Sequence, residues 1–109
     1  MARIIHDQFS YELSPGTAIK DFKNMNKVTS VEAGNLYVYL FEEEHYQGRH
    51  QVVRPGEKAL VSGCGSAVFS NDSISVDAIK TQKCPPARFW ELSGSRYVLH
   101  FSPIYRYVS

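Results

Sequence analysis

Two stretches of the chain repeat one order of residue types, and this repetition limits the folds open to it more than any other feature. Each has Pro-Gly, an apolar segment, a pair containing Asn, one spacer, an aliphatic residue and a hydroxyl residue. The stretches are Leu13 to Val31 and Val53 to Val76. The second is longer in a Gly- and Ser-rich segment, where an insertion costs little because loop-closure entropy rises slowly with length. The repetition predicts an internally duplicated domain.

Short strand-like segments separated by Gly, Pro, Asn and Asp predict an all-β fold. The segments are rich in β-branched and aromatic residues or alternate between apolar and polar residues. Many short strands with such turns are typical of a sandwich or barrel. Only Thr17 to Asn24 predicts a turn or two of helix. The predicted strands are Leu36 to Phe41, Gly48 to Val53, Val68-Phe69, Ile74 to Ile79, Arg88 to Leu92 and Arg96 to Phe101, the last two forming a hairpin through Ser-Gly-Ser.

Size and composition fit one domain. The chain has 109 residues, 43% of them hydrophobic, which is enough for a packed core without a metal or many disulfides. A net charge of +1 gives no general attraction to nucleic acid or membranes, and no apolar run is long enough to span a bilayer. The start lacks the apolar region of a signal peptide, which favours the cytoplasm, although a mature secreted chain would look the same. Cys64 and Cys84 are either free thiols or one disulfide.

No catalytic or zinc-binding spacing is visible, so we expect no enzyme activity. The histidines are scattered, and the chain has no CxxC pair, nucleophile elbow or phosphate-binding glycine loop. The acidic run Glu42 to His45 is typical of a solvated turn, although it could attract a cation. The segment Pro85 to Ser109 mixes aromatics with arginines, as some single-strand nucleic-acid binders do. Its alternation and the near-neutral charge favour a half-buried strand, so we expect no nucleic-acid partner.

Two signatures in order resemble the βγ-crystallin Greek-key motif. The hairpin signature is Phe41, Tyr46 and Gly48, and the calcium-loop signature is Asn71 to Ser75, with Pro-Gly between them. The match to the motif is good from Leu36 to Lys80, and there the chain resembles the small microbial members of the family. Over residues 3–31 the match is partial, because the opening hairpin signature is absent. Glycine can adopt positive φ where the hairpin folds over, and the two aromatics can cover that fold, so these three residues are expected to be structural.

The resemblance implies a βγ-crystallin-like Greek-key β-sandwich in residues 1–83, with an atypical motif 1 over about 1–34 and motif 2 over about 35–83. Residues 84–109 would form a C-terminal β-hairpin extension that packs on the same domain. Because motif 1 lacks an opening hairpin signature, we expect the Phe89 to Phe101 hairpin to fill the sheet edge left open. It could do so within the chain or in a homo-oligomer.

The resemblance also implies calcium binding shared between the two motif loops. Ca²⁺ takes six to eight oxygen ligands, which one short loop cannot supply. A weaker site would combine Asn26 with Ser75. Without calcium, the second loop would be a polar Asx-turn. The main site would use the Asp72 carboxylate, backbone oxygens of Asn71 or Ser73 and of the Glu42-Glu43 turn, and the Thr29 hydroxyl.

The function implied is that of a calcium-binding structural or stability protein. In that function the ion would cross-link the two motifs and stabilise the folded state by mass action. The alternative is a secreted recognition protein, similar to an inhibitor or toxin, that has lost calcium binding. Its binding surface would be the aromatic C-terminal hairpin.

Overall fold

Short strands dominate the fold, as the sequence predicts. The computed structural model describes residues 1–6, 9–22, 28–61, 63–86, 89–93 and 104–105. In this part the chain forms ten strands, one α-helix and a 3-10 turn over Glu44–Tyr46. The elements are β1 (Ala2–His6), β2 (Phe9–Leu13), β3 (Thr17–Asp21), β4 (Val28–Glu32), β5 (Tyr37–Glu43), β6 (Gln47–Val53), β7 (Lys58–Leu60), β8 (Ser66–Ser70), α1 (Val76–Gln82), β9 (Trp90–Ser93) and β10 (Ile104–Tyr105).

The described strands form two sheets, which makes the molecule an all-β sandwich. Sheet I has the order β2-β1-β4-β7, and sheet II has the order β10-β9-β3-β8-β5-β6. Neighbouring strands are antiparallel, except that β9 lies parallel to β3. Alternation in the strands turns one face of each sheet inward, and the two inward faces share a core.

The two halves of the chain exchange their third strands. Of β1 to β4, three strands lie in sheet I and β3 lies in sheet II, whereas of β5 to β8, three lie in sheet II and β7 lies in sheet I. Each exchanged strand follows a Pro-Gly turn whose glycine has positive φ, 81° at Gly16 and 83° at Gly56. One backbone bond also recurs in each half, from Phe22 N–H to the Gly65 carbonyl at 3.1 Å and from Val61 N–H to the Thr29 carbonyl at 3.0 Å.

Sheet II separates two hydrophobic cores. The first core lies between the sheets and includes Ile4 and Val31 from sheet I with Ile19 and Phe69 from sheet II. The second lies on the outer face of sheet II, where α1 contributes Ile79. The central sheet-II strands β3, β5 and β8 are therefore largely buried on both faces, and β8 is buried along its whole length. Such strands read as continuous apolar runs, which is why strands were predicted at Leu36 to Phe41 and at Val68-Phe69.

Two element predictions are wrong, and each error has a local cause. Ile74 to Ile79 was predicted as a strand, but α1 begins at Val76 because the Ser75 hydroxyl accepts a hydrogen bond from Ala78 N–H at 3.3 Å. This N-cap satisfies a backbone donor of the first turn and outweighs a short alternation. The predicted helix at Thr17 to Asn24 is β3 over its first part, and residues 23–27 lie outside the described part of the chain. No helix described in this structure is long and apolar enough to cross a membrane.

Strands β1 and β2 form an N-terminal hairpin, although motif 1 lacks the opening hairpin signature. Strands β1 and β2 pair antiparallel from Ala2 opposite Leu13 to His6 opposite Phe9. An aromatic-to-glycine signature is therefore not needed to form a hairpin here, because an unbroken antiparallel ladder with apolar residues on one face suffices.

The C-terminal segment covers an edge of sheet II within its own chain. Strand β9 lies beside β3, and Trp90 N–H donates to the Gly16 carbonyl at 2.8 Å. Strand β9 also pairs with β10, whereas the predicted partner, Arg96 to Phe101, lies outside the described residues. The edge that is covered belongs to the exchanged strand β3 and not to the N-terminal hairpin.

Candidate functional site

A tight corner after β5 carries the predicted hairpin signature. His45 and Tyr46 have φ of 57° and 62°, a left-handed conformation that is uncommon outside glycine. Gly48 has φ of 83°, and a Cβ there would lie 2.9 Å from Glu43 Oε2. The Phe41 and Tyr46 rings are fully buried and meet edge to face, with centroids 5.8 Å apart. Aromatic burial and contact therefore hold a backbone that is strained in isolation.

The hydroxyl of Ser66 joins this corner to β8. Ser66 is fully buried, and its Oγ accepts from Tyr46 N–H at 2.9 Å and donates to the Glu43 carbonyl at 2.6 Å. The preceding Gly65 is needed because a Cβ there would lie 2.7 Å from Glu43 Cα. Sequence reasoning missed Ser66, since it falls in the Gly- and Ser-rich segment that was interpreted as an insertion.

A second hydrogen bond joins the corner to the C-terminal strand. The Tyr46 hydroxyl donates to Glu91 Oε2 at 2.9 Å, and both residues are almost completely buried. A buried carboxylate is costly unless it is hydrogen-bonded. The bond from Tyr46 therefore adds to the backbone ladder that places β9 beside β3. No pattern in the sequence distinguishes Glu91 from an exposed strand residue.

The structure does not bring the main predicted calcium ligands together. Asp72 follows β8 just beyond Ser70, whereas the Glu42-Glu43 turn lies at the other end of β8, beside Ser66. Ser66 and Ser70 are four residues apart on one strand, a separation of roughly 13 Å. Thr29 lies away from Asp72 as well, because its carbonyl bonds to Val61, which lines a cleft with Glu42-Glu43.

The remaining predicted ligands have local hydrogen-bonding functions or lie outside the described residues. Asn71 to Ser73 are exposed, and Asp72 N–H donates to Ser70 Oγ at 3.1 Å. Ser75 caps α1, and Thr29 Oγ1 donates to the Ile5 carbonyl at 3.3 Å. Asn26 is outside the described residues. Of the loop side chains, that of Ser75 bonds a backbone amide, as both the cap of α1 and the polar-turn alternative require.

An open cleft lies at the acidic end of the sandwich. Its volume is about 1040 Å³, and it contains both carboxylates and cationic side chains. Within the described residues, no group of three His, Cys, Asp or Glu side chains is placed to hold a metal. The mixed charge and open shape do not select one class of ligand. The lining residues that carry charge or can gain it are Glu42, Glu43, Glu44, His45, Arg49, His50 and Lys83.

Cys64 lies at the floor of the cleft but is packed into the core between the sheets. Both cysteines are free and buried. Burial raises the pKa of the Cys64 thiol from 9.0 to about 12. Because the thiolate is the reactive form, this cysteine is an inert core residue near neutral pH.

We expect Ser66→Ala to lower the free energy of unfolding by about 1–3 kcal/mol, because it leaves the buried Tyr46 N–H and the partly buried Glu43 carbonyl without this partner. Chemical denaturation with both variants measures the difference. The matched control is Ser70→Ala at the other end of β8, where a similarly buried hydroxyl accepts a hydrogen bond from Asp72 N–H. Equal losses in the two variants would contradict a special function of Ser66 at the corner.

The Cys64 thiol should make the protein less stable in alkali. The folded state keeps this proton while the unfolded chain loses it, so the contribution is present below pH 9 and is lost as pH rises towards 12. We expect Cys64→Ala to flatten the fall of melting temperature over that range. Cys84→Ala is the control. The slope of the melting temperature against pH is compared between the variants, and not the melting temperature itself. An unchanged slope in Cys64→Ala would contradict the assignment.

Comparison with known proteins identifies no relative. The chain has no match among protein-family models, curated proteins or solved structures. The βγ-crystallin resemblance therefore rests on this chain alone. Its basis is the hairpin signature of Phe41, Tyr46 and Gly48 and the Asn71 to Ser75 loop.

Proposed function

We propose that this chain is a non-enzymatic structural protein with two βγ-crystallin-like Greek-key motifs, β1 to β4 and β5 to β8. The observation that carries the proposal is the exchange of the third strands. In each motif the fourth strand returns beside the first, β4 beside β1 and β8 beside β5, as in a Greek key. The folded corner with its buried aromatics at Phe41 and Tyr46 gives further support.

Strand exchange suits a protein whose function is to stay folded. If one motif unfolded alone, it would remove a strand from the sheet of the other motif and open the shared core. Partial unfolding would therefore cost nearly as much as global unfolding, and the domain should unfold in one cooperative step. A structural protein benefits because partly open states, which expose strand edges, are the ones that aggregate.

Calcium is a secondary part of this proposal. The resemblance implies a bound ion, whereas the strand register separates Asp72 from the Glu42-Glu43 turn. The stability that we propose comes from packing and exchanged strands, and it does not need an ion to link the motifs.

We therefore expect millimolar Ca²⁺ to raise the melting temperature of the metal-free protein no more than the same concentration of Mg²⁺ does. Isothermal titration and thermal melts with and without chelator measure this. Asp72→Asn is the matched variant and should behave like the parent protein. Binding heat together with a calcium-specific rise in melting temperature, both lost in Asp72→Asn, would instead establish the loop as a calcium ligand. The structural function would stand in either case.

One observation favours the second candidate, a recognition protein that uses the C-terminal segment. Trp90 on β9 is 49% exposed, and exposed tryptophan is common where proteins bind partners. The same strand carries the buried Glu91 and follows Phe89, which packs against the outer core of sheet II. The C-terminal segment thus contributes both an exposed tryptophan and buried side chains. Removing the segment distinguishes a structural function from recognition of a partner.

Deletion of Arg88 to Ser109 should lower the melting temperature and cause aggregation, because it uncovers the edge of β3 and removes the acceptor of the Tyr46 hydroxyl. Thermal melts and size-exclusion chromatography measure both effects. The control is a shorter deletion of residues 106–109, which keeps β9 and β10. A long deletion that stays monomeric with an unchanged melting temperature would favour recognition as the function of the segment.

A further inference from the structure

The two exchanged strands differ in what lies beside them. Strand β3 has β9 along its outer edge, whereas β7 is the last strand of sheet I in the described part of the chain. The two strands are equivalent by position, since each follows a Pro-Gly turn with positive φ at the glycine. Counted from these two glycines, Ala18 of β3 corresponds to Lys58 of β7. Ala18 pairs with Glu91 of β9. One edge therefore has an added strand, and the corresponding edge does not.

The open edge of β7 presents backbone groups that are ready to pair. Val61 N–H bonds to the Thr29 carbonyl and Ala33 N–H bonds to the Glu57 carbonyl. Hydrogen-bonded pairs alternate along an antiparallel ladder, so Lys58 and Leu60, which lie between these positions, direct their N–H and C=O groups away from β4. These groups face outward along the edge of the sheet.

The side chains on this edge do not protect it as an isolated edge would be protected. Leu60 is 88% exposed, the highest value among the large hydrophobic residues described. Lysine on an edge normally discourages pairing through its charge. The charge of Lys58 is partly balanced here, because its Nζ lies 4.0 Å from Glu32 Oε2 on β4. The edge thus combines an exposed leucine with a lysine that has an acidic neighbour.

We propose that β7 pairs antiparallel with β7 of a second copy of the chain, joining two sheets I into one continuous sheet. In the register that we infer, Lys58 lies opposite the partner's Leu60, so the outward backbone groups of both residues are used in each copy. The stem of each lysine covers the exposed leucine across the interface. The pairing is isologous, so it uses both edges at once and closes at a dimer.

A second copy suits this edge better than the C-terminal strand of another molecule. Strand β9 is already paired with β3 in its own chain, so a contact of β9 with the partner's β7 would first have to break that pairing. This inference differs from the oligomer predicted from sequence, which used the C-terminal hairpin. A three-residue strand buries little area, so the dimer is expected to be weak and to depend on concentration.

Sedimentation equilibrium of the full chain over a concentration series tests the proposal. We expect monomers that associate into dimers as the concentration rises. Leu60→Pro removes an outward N–H that β4 does not use, so it should weaken association at least roughly tenfold through the loss of two bonds per dimer. Leu60→Ala keeps that N–H and should weaken association less.

A cross-linking variant gives an independent readout. In the inferred register Ala59 faces the partner's Ala59 with Cα atoms roughly 4.5 Å apart, within the range for a disulfide. Ala59→Cys should therefore form covalent dimers under mild oxidation faster than Gln51→Cys on the exposed edge strand β6. A protein that is monomeric at every concentration would overturn the proposal and leave the edge to a different partner. Dimers that tolerate Leu60→Pro, or equal cross-linking of the two cysteine variants, would also overturn it. If Leu60→Pro fails to fold, the cross-linking comparison decides.

Discussion

Tyr46 is held at both ends, and the arrangement of sheet II depends on this. Its N–H donates to Ser66 Oγ and its hydroxyl donates to Glu91 Oε2, both at 2.9 Å. Its ring packs edge to face against Phe41. One residue in a left-handed conformation thus links the corner, β8 and β9. Because the left-handed backbone conformation of Tyr46 is unfavourable by itself, these contacts must supply the free energy that maintains it.

The position of β9 follows from that constraint. Glu91 is buried opposite Ala18 of β3, and its carboxylate needs hydrogen-bond donors that the interior can supply. Tyr46 supplies one of them only when the corner is folded. The corner and the C-terminal strand should therefore form together, although 45 residues separate them. Such a long-range pair makes folding slower than local contacts would, but it makes the native state hard to open in part.

The sequence predicts strands better than it predicts which strands are neighbours. Residues 37–43 were predictable because their β-branched and aromatic run is largely buried. Residues 47–53 are mostly polar and only partly buried, and they were predictable because they follow that run after a short corner. The helix α1 was missed because one hydroxyl, that of Ser75, decides its start. Matching the repeats by residue type paired residues 25–29 with 71–75. The strand order instead pairs β4 with β8, which begins at Ser66 directly after Gly65. Residue types alone do not distinguish these two alignments of the repeats. The recurring backbone bonds do, because Gly65 and Thr29 accept them at the starts of β8 and β4.

The two sheets of the duplicated fold differ in how much of their surface is covered by other parts of the chain. Sheet II has a second core under α1 and an added strand beside β3, so both its outer face and the edge at β3 are covered. Sheet I has charged residues on its outer face, where Arg3 and Glu12 approach to 3.4 Å across β1 and β2, and the edge at β7 is open. An exposed ion pair contributes little to stability. Sheet II therefore contributes to both cores, whereas sheet I contributes only its inner face to the core between the sheets. Its outer face and the edge at β7 can change or accept a partner without loosening that core. In a structural protein, substitutions on the outer face or the β7 edge of sheet I can therefore change association with a partner without changing the fold.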